Sequence, residues 1–396
     1  MDIAFAANRL YINNYNGNNV LVYQQIPATP NQWPDFAVGA PDITAQTLDS
    51  IHYIQNPVLA SDGVRLIATS DFDREINIWN SFPTQSGREP DQRIAVSAAV
   101  QVWANALYGN TFVIAGRKTV SVWTDASLLS PVPDRTFNNA IGTAVFTDLG
   151  GVALDGQFFY LADKSGKIYG WNGIPASASE NPAFTISNPG LQYGFLYSDG
   201  QYLCAVQSEP PAAVYVYRVS DLAAGSATPY RTIGSGLQLQ LNQPTQAITF
   251  GQALAIACRG SHAVYLWKDL TQAGDVSQMV VLGQPSATAH QAAIGISNLF
   301  MPASLMAYGN SLWVGEFKFS SRIVKFSYGT TTAPEIPVWE REMSIFPNPV
   351  TDNFTLQLLP ACNGEYRIDL LDGNGRLLRR LAAPLLYCRA SAAHIF

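Results

Sequence analysis

One pattern recurs along most of the chain and limits its fold more than any single motif does. Six times a glycine stands three residues before an apolar or aromatic residue that opens a strand-like run: Gly63/Leu66, Gly109/Phe112, Gly156/Phe159, Gly200/Leu203, Gly251/Leu254 and Gly309/Leu312. Ala7/Leu10 is a seventh copy without the glycine. Each run passes through a polar or Gly/Pro-containing turn into a second run that closes on an aromatic residue: Tyr23, Trp79, Trp123, Trp171, Tyr217, Trp267 or Phe326. Residues 9–23, 157–171 and 311–326 show this most clearly. Aromatic and β-branched residues fill the runs and Gly, Asn, Asp, Ser or Pro fill the turns, which is how hairpins read. Successive glycines lie 46, 47, 44, 51 and 58 residues apart, close to the roughly 40–50 of a four-stranded propeller blade.

Further strands are expected before each glycine, as at 57–61 and 151–154, and after each aromatic end, as at 35–39 and 280–283. Four strands per unit, stacked radially, bury apolar faces on both sides and leave only short edges. Residues 1–329 therefore read as an all-β β-propeller. Seven blades are preferred and six are the alternative, because the third unit's outer strand is hard to place between Ser130 and Asn139. A seventh unit without an evident outer strand is expected to borrow one from the N-terminal side or from residues 330–341.

Composition agrees with a large buried fold: 47% of the 396 residues are hydrophobic and only 13% are charged, against about 25% charged in an average domain. The net charge is −6 with no basic block, so no nucleic-acid partner is expected. No apolar run reaches the roughly 18–20 residues of a membrane helix, so no transmembrane segment is expected. Cys204, Cys258, Cys362 and Cys388 lie far apart with no C-x-x-C spacing, so neither a zinc site nor a dithiol motif is indicated.

Residues 10–23 (LYINNYNGNNVLVY), the IPATP that follows, PDFAVGAPD at 34–42, VLGQP at 281–285, LWVGE at 312–316 and RIVKF at 322–326 resemble an NHL-repeat propeller. The likeness is carried by units 1, 6 and 7. Units 2 to 5 follow the pattern without the motif, and the family's Asp after the second strand stands here only as Asp163. The equivalent positions hold Asn14, Ser70, Gly116, Gln207, Cys258 and Glu316.

After Phe326 the pattern stops. Residues 330–341 read as a Thr- and Pro-containing linker, and a small β module follows over 342–383, with an atypical tail at 384–396. The module opens on Phe346-Pro347-Asn348-Pro349, continues into an alternating Phe354/Leu356/Leu358 strand, and carries an Asp-Gly-Asn-Gly-Arg turn ending at Gly375 and Arg376. This combination resembles the type A C-terminal sorting domain of the type IX secretion system. The resemblance implies a Bacteroidota-type bacterium, the type IX machinery as a partner, and a secreted or outer-membrane-surface destination. The opening residues 1–8 lack the basic head and long apolar stretch of a signal peptide, so an incomplete N-terminus is expected.

No H-E-x-x-H, G-x-S-x-G, Walker loop or strand-linked G-x-G-x-x-G is present, and the four His are scattered. The 70–75 run, Ser-Asp-Phe-Asp-Arg-Glu, lacks the glycine and closing glutamate of a calcium loop and reads as a solvated turn. Some propellers hold a metal over the channel with side chains from different blades. Asn14, Asp163 and Glu316 occupy equivalent positions and could act so, or could finish their strands and accept turn hydrogen bonds.

Two connections stand out by length, 40–57 between units 1 and 2 and 284–302 between units 6 and 7. Ring closure makes units 7 and 1 neighbours, so both should flank one sector of one face. Long loops on a rigid scaffold are where binding tends to sit, which makes His52, Tyr53, His290, Phe300 and Met301 candidates. The reading favoured is a non-enzymatic, secreted or surface propeller that binds an extracellular protein or glycan through one face, with no cofactor. The alternative is a metal-dependent hydrolase or lyase of sugar lactones or polysaccharides, with a divalent cation held at the channel by Asn14, Asp163 and Glu316.

Overall fold

The computed structural model describes residues 3–327, apart from 7, 15–16, 30–31, 46–57, 62–64, 71–73, 97–103, 126–129, 235–238, 296, 309 and 318–321, and the backbone of five later strands. Two compact units result, Met1–Ser327 and Tyr328–Phe396.

The first unit is a seven-bladed β-propeller. Blade 1 contains β1 (Ile3–Ala6), β2 (Arg9–Asn14), β3 (Asn19–Tyr23) and β4 (Phe36–Val38). Blade 2 contains β5 (Val58–Ser61), β6 (Leu66–Ser70), β7 (Glu75–Trp79) and β8 (Gln92–Ala95). Blade 3 contains β9 (Ala104–Tyr108), β10 (Thr111–Gly116), β11 (Thr119–Trp123) and β12 (Arg135–Asn138). A small hairpin, β13 (Ala140–Ile141) and β14 (Ala144–Val145), leads to blade 4, which contains β15 (Leu149–Leu154), β16 (Phe158–Asp163), β17 (Lys167–Asn172) and β18 (Phe184–Ser187). Blade 5 contains β19 (Tyr193–Ser198), β20 (Tyr202–Gln207), β21 (Ala213–Arg218) and β22 (Arg231–Ile233). Blade 6 contains β23 (Pro244–Phe250), β24 (Ala253–Cys258), β25 (Ala263–Trp267) and β26 (Met279–Leu282). Blade 7 has three described strands, β27 (Pro302–Tyr308), β28 (Ser311–Glu316) and β29 (Ile323–Ser327).

Register explains the repeat. In every blade the residue opening the second strand pairs with the aromatic that closes the third: Leu10 with Tyr23, Leu66 with Trp79, Phe112 with Trp123, Phe159 with Trp171, Leu203 with Tyr217, Leu254 with Trp267 and Leu312 with Phe326. These pairs fill the seams. Phe159 and Trp171 share a core with Val113, Val120 and Val122 of blade 3, and Leu254 and Trp267 share one with Val214 and Val216 of blade 5. Of the glycines preceding them, the described Gly109, Gly156, Gly200 and Gly251 sit in the hairpin turns. Gly109, Gly200 and Gly251 take φ of +55°, +84° and +57°, a conformation costly for other L-residues. In blade 1, Asn8 carries the left-handed φ of 58° instead.

Four of the closing aromatics carry a second device that periodicity does not reveal. The buried indoles of Trp79, Trp123, Trp171 and Trp267 donate to the carbonyls of Arg88, Ser130, Glu180 and Asp275 at 2.9–3.1 Å. Each bond ties the loop that leads to the outer strand back onto its own blade. Asp35, Asp91 and Asp134, just before the outer strands of blades 1 to 3, accept from the backbone N–H of Gln24, Asn80 and Thr124. Asp134 and β12 thus supply the outer strand that was hard to place in unit 3, and the six-bladed alternative falls away.

Among the described residues, the ring closes by contact between neighbouring blades rather than by a shared strand. The inner strands contact one another in the cycle β1, β5, β9, β15, β19, β23, β27 and back to β1, around a central cavity of about 670 Å³. Strand β1 serves as the inner strand of its own blade, and no outer strand of blade 7 is found among the described residues; residues 330–341, one expected source of it, lie outside them. The last seam is hydrophobic, with Ile3, Leu10 and Ile12 packed on Trp313. At the opposite face, Asp155 and Asp199 join neighbouring blades. Asp155 caps its own turn through the N–H groups of Gln157 and Phe158, then accepts from Tyr160 and from Ser198 of blade 5. Asp199 repeats the arrangement with Gln201, Tyr202 and Thr249 of blade 6.

In the second unit, β30 (Met343–Phe346), β31 (Phe354–Leu358) and β34 (Ala393–Ile395) form one sheet, and β32 (Arg367–Leu371) with β33 (Leu377–Ala382) another. The alternating 354–358 run is a strand, as its pattern suggests. Part of the 384–396 tail is also a strand, pairing with β31.

Candidate functional site

At the ends of three second strands, in blades 4, 5 and 7, the last side chain grips the connection that arrives from the preceding blade. Asp163 accepts from the N–H of Thr147 and Asp148, the Thr147 hydroxyl and the N–H of Ser165. Burial pushes its carboxyl pKa up, but these hydrogen bonds outweigh burial and hold it below the ordinary value. Gln207 accepts from the N–H of Gln192, and Glu316 from that of Phe300. Asn14 donates to Asn19, which donates to the carbonyl of Ala45 in the 40–57 connection. Asn14, Asp163 and Glu316 are therefore engaged within separate blades, and no three His, Cys, Asp or Glu side chains cluster among the described residues.

The richest arrangement is at the seam of blades 6 and 7. Glu316, fully buried, faces Arg322 across the β28–β29 hairpin. The guanidinium meets both carboxylate oxygens, at 3.0 and 2.5 Å, and donates to the carbonyls of Gly295 and Asn298 at 2.6 Å each. One cation thus fixes the far half of the 284–302 connection. Gln284 fixes the near half, donating to the carbonyls of His262 and Gln291 and accepting from the N–H of Gln291.

His262 completes the frame. Its Nδ1 accepts from the N–H of Met301 at 3.1 Å, and its ring lies 5.3 Å from that of Phe300. An accepting Nδ1 is unprotonated, which places the neutral ring's proton on Nε2. Burial first, and then the neighbouring His290, lower the His262 pKa below 6.5, with Glu316 opposing them. The assembled frame presents exposed His290 and Ile294 to solvent and keeps Phe300 and Met301 half-buried.

Of the residues the sequence singles out, Phe300, Met301 and Glu316 come together here, with His290 close by. His52 and Tyr53 lie outside the described residues, as do Pro347, Asn348, Pro349, Gly375 and Arg376. His262, Gln284 and Arg322 escape a reading by motif. Hairpin arithmetic reaches Arg322, because Gly315 pairs with Ile323 and the next pair outward is Glu316 with Arg322. Cys204 and Cys258 are buried in the blades and burial raises their thiol pKa values, so both are packing residues.

The fold and its closed ring of seven four-stranded or three-stranded sheets define the chain as a β-propeller. Its fold is similar to that of a chain in the mitotic checkpoint complex, with a TM-score of 0.53 and 13% identity over 83% of this chain and 86% of that one. A computationally designed protein, Ika8, aligns with a TM-score of 0.48 and 10% identity over 82% of this chain and 95% of that one. No family model matches the sequence, and no curated protein does.

Proposed function

We propose that the protein is a non-enzymatic propeller, exported by a type IX-like route, that binds an extracellular protein or glycan through the face carrying the interblade connections. The observation that carries the binding half is the framing of 284–302 by Arg322, Glu316, Gln284 and His262. A connection ordered before its ligand arrives loses less conformational entropy on binding, and this one displays Ile294 at 61% exposure beside His290. The export half rests on the Phe346-Pro347-Asn348-Pro349 opening and the Gly375-Arg376 turn.

The binding half is tested by probing an array of glycans and extracellular proteins with the labelled full chain and with a variant in which 286–297 is replaced by a short Gly-Ser turn. Discrete signals lost in the variant support the reading, and signals unchanged by the replacement contradict it. For export, the full chain behind a periplasmic leader is expected in the medium or on the surface only in cells with a working type IX translocon. Appearance independent of the translocon contradicts that half.

A further inference from the structure

A second cavity, of about 550 Å³, opens between blades 3 and 4 and is lined by Arg117, Lys118, Thr119, Asn138, Asn139, Thr147 and Asp148. We propose that it binds an acidic sugar, a hydroxylated ring bearing a carboxylate. This site is separate from the 284–302 surface, so either can fail alone.

Every lining side chain ends in a polar or charged group, while the stems of Arg117 and Lys118 and the methyls of Thr119 and Thr147 give the wall apolar area as well. An apolar ligand would desolvate these groups without giving them partners, at a cost of about 1–3 kcal/mol for each one stranded. A ring with adjacent hydroxyls offers a donor and an acceptor at every carbon. The amides of Asn138 and Asn139 can both give and receive, and the Thr119 hydroxyl already donates to the Asn138 Oδ1 at 3.2 Å. Asp148 supplies a pure acceptor. Its Oδ2 is held by Lys164 at 2.8 Å, while its Oδ1 is out of contact with solvent and has no hydrogen-bond partner.

Charge selects the acid. Lys164 meets the Asp148 carboxylate, and Lys118, exposed at the lip, has no carboxylate within 4 Å among the described residues. In a chain of net charge −6, Lys118 beside Arg117 is a local reversal of sign that favours an anionic group at the opening. The walls are also fixed in place. The Leu149 N–H donates to the Arg117 carbonyl at 2.6 Å, tying the turn of blade 3 to the inner strand of blade 4, and Asn139 donates to the Lys118 carbonyl at 2.7 Å. Asp163 holds Thr147 and Asp148 from below, which makes it a positioning residue for this cavity.

Calorimetric titration of the full chain with a digalacturonate, with its neutral galactose counterpart and with inorganic phosphate tests the proposal. The expected result is one saturable site per chain for the uronate, with Kd below about 1 mM, and at least tenfold weaker binding of the neutral sugar. Lys118→Met and Asn138→Ala, both at exposed positions, are each expected to weaken uronate binding about tenfold while leaving thermal unfolding in place. The variant shortened at 286–297 is expected to bind the uronate unchanged. Absence of saturable binding, equal binding of the neutral sugar, equal binding of phosphate alone, or uronate binding untouched in both point variants would each overturn it.

Discussion

Half-buried Arg322 pairs with fully buried Glu316, and its guanidinium also holds two backbone carbonyls of the connection it underlies. Desolvation makes such a pair a poor source of net stability, but removing one partner strands the other charge. Glu316→Ala or Arg322→Ala alone should cost about 3–5 kcal/mol in urea unfolding. A combined Glu316→Leu and Arg322→Met variant should cost much less than the two single changes added together.

Asp155 joins blade 4 to blade 5 through Ser198. Asp155→Ala leaves two turn N–H groups, the Tyr160 hydroxyl and the Ser198 hydroxyl without their acceptor, and should cost about 2–4 kcal/mol. Ser198→Ala should cost about 1 kcal/mol. A double-mutant cycle on these two residues should give a coupling of at least about 0.5 kcal/mol. Additive effects would show that the latch does not join the blades.

The Trp indoles make a separate prediction. Trp171→Phe keeps an aromatic ring opposite Phe159 but removes the donor to the Glu180 carbonyl. The expected loss is about 1–3 kcal/mol, measured by denaturant midpoint at unchanged slope. Tyr217, which closes blade 5 in the same register with Leu203, shows that an aromatic ring without an indole can fill this position.

His262 gives the fold a pH dependence of known sign. Its folded pKa lies below 6.5 because burial and His290 disfavour the charged ring, so the unfolded chain binds more protons between the two values. Its contribution is complete above about pH 6.5 and declines as pH falls through the lowered folded value. Protonation of Nδ1 also abolishes the bond from the Met301 N–H. His262→Gln should flatten the loss of stability between pH 6.5 and the acid limb, where Asp163, with its own lowered pKa, begins to contribute. An unchanged profile would remove His262 from this role.

Much of the architecture is legible in residue pattern because each blade repeats one local demand, an apolar opener across from an aromatic closer. Leu10/Tyr23 obeys it without a glycine because Asn8 takes the left-handed turn. Features that depend on register across a turn are not legible in the same way. The short β12 strand is set by Asp134 gripping Thr124, and the hairpin at Ala140–Val145 has too few residues to show a period. Closure by packing of Ile3 and Leu10 on Trp313 is a property of the whole ring. At the candidate surface the length of 284–302 marks the place and hairpin pairing sets Arg322 opposite Glu316, but Gln284 and His262 emerge only once the chain is folded, since each holds backbone atoms that no side-chain pattern announces.

The central claim is that the surface framed by Arg322 is the one that binds. Arg322→Gln releases the carbonyls of Gly295 and Asn298 while the seven blades keep their cores. Array binding by the full-length variant, checked for an intact β-sheet circular dichroism spectrum, measures this directly. The account predicts that the signals of the native chain fall at least tenfold, and native-level signals from a folded Arg322→Gln protein would contradict it.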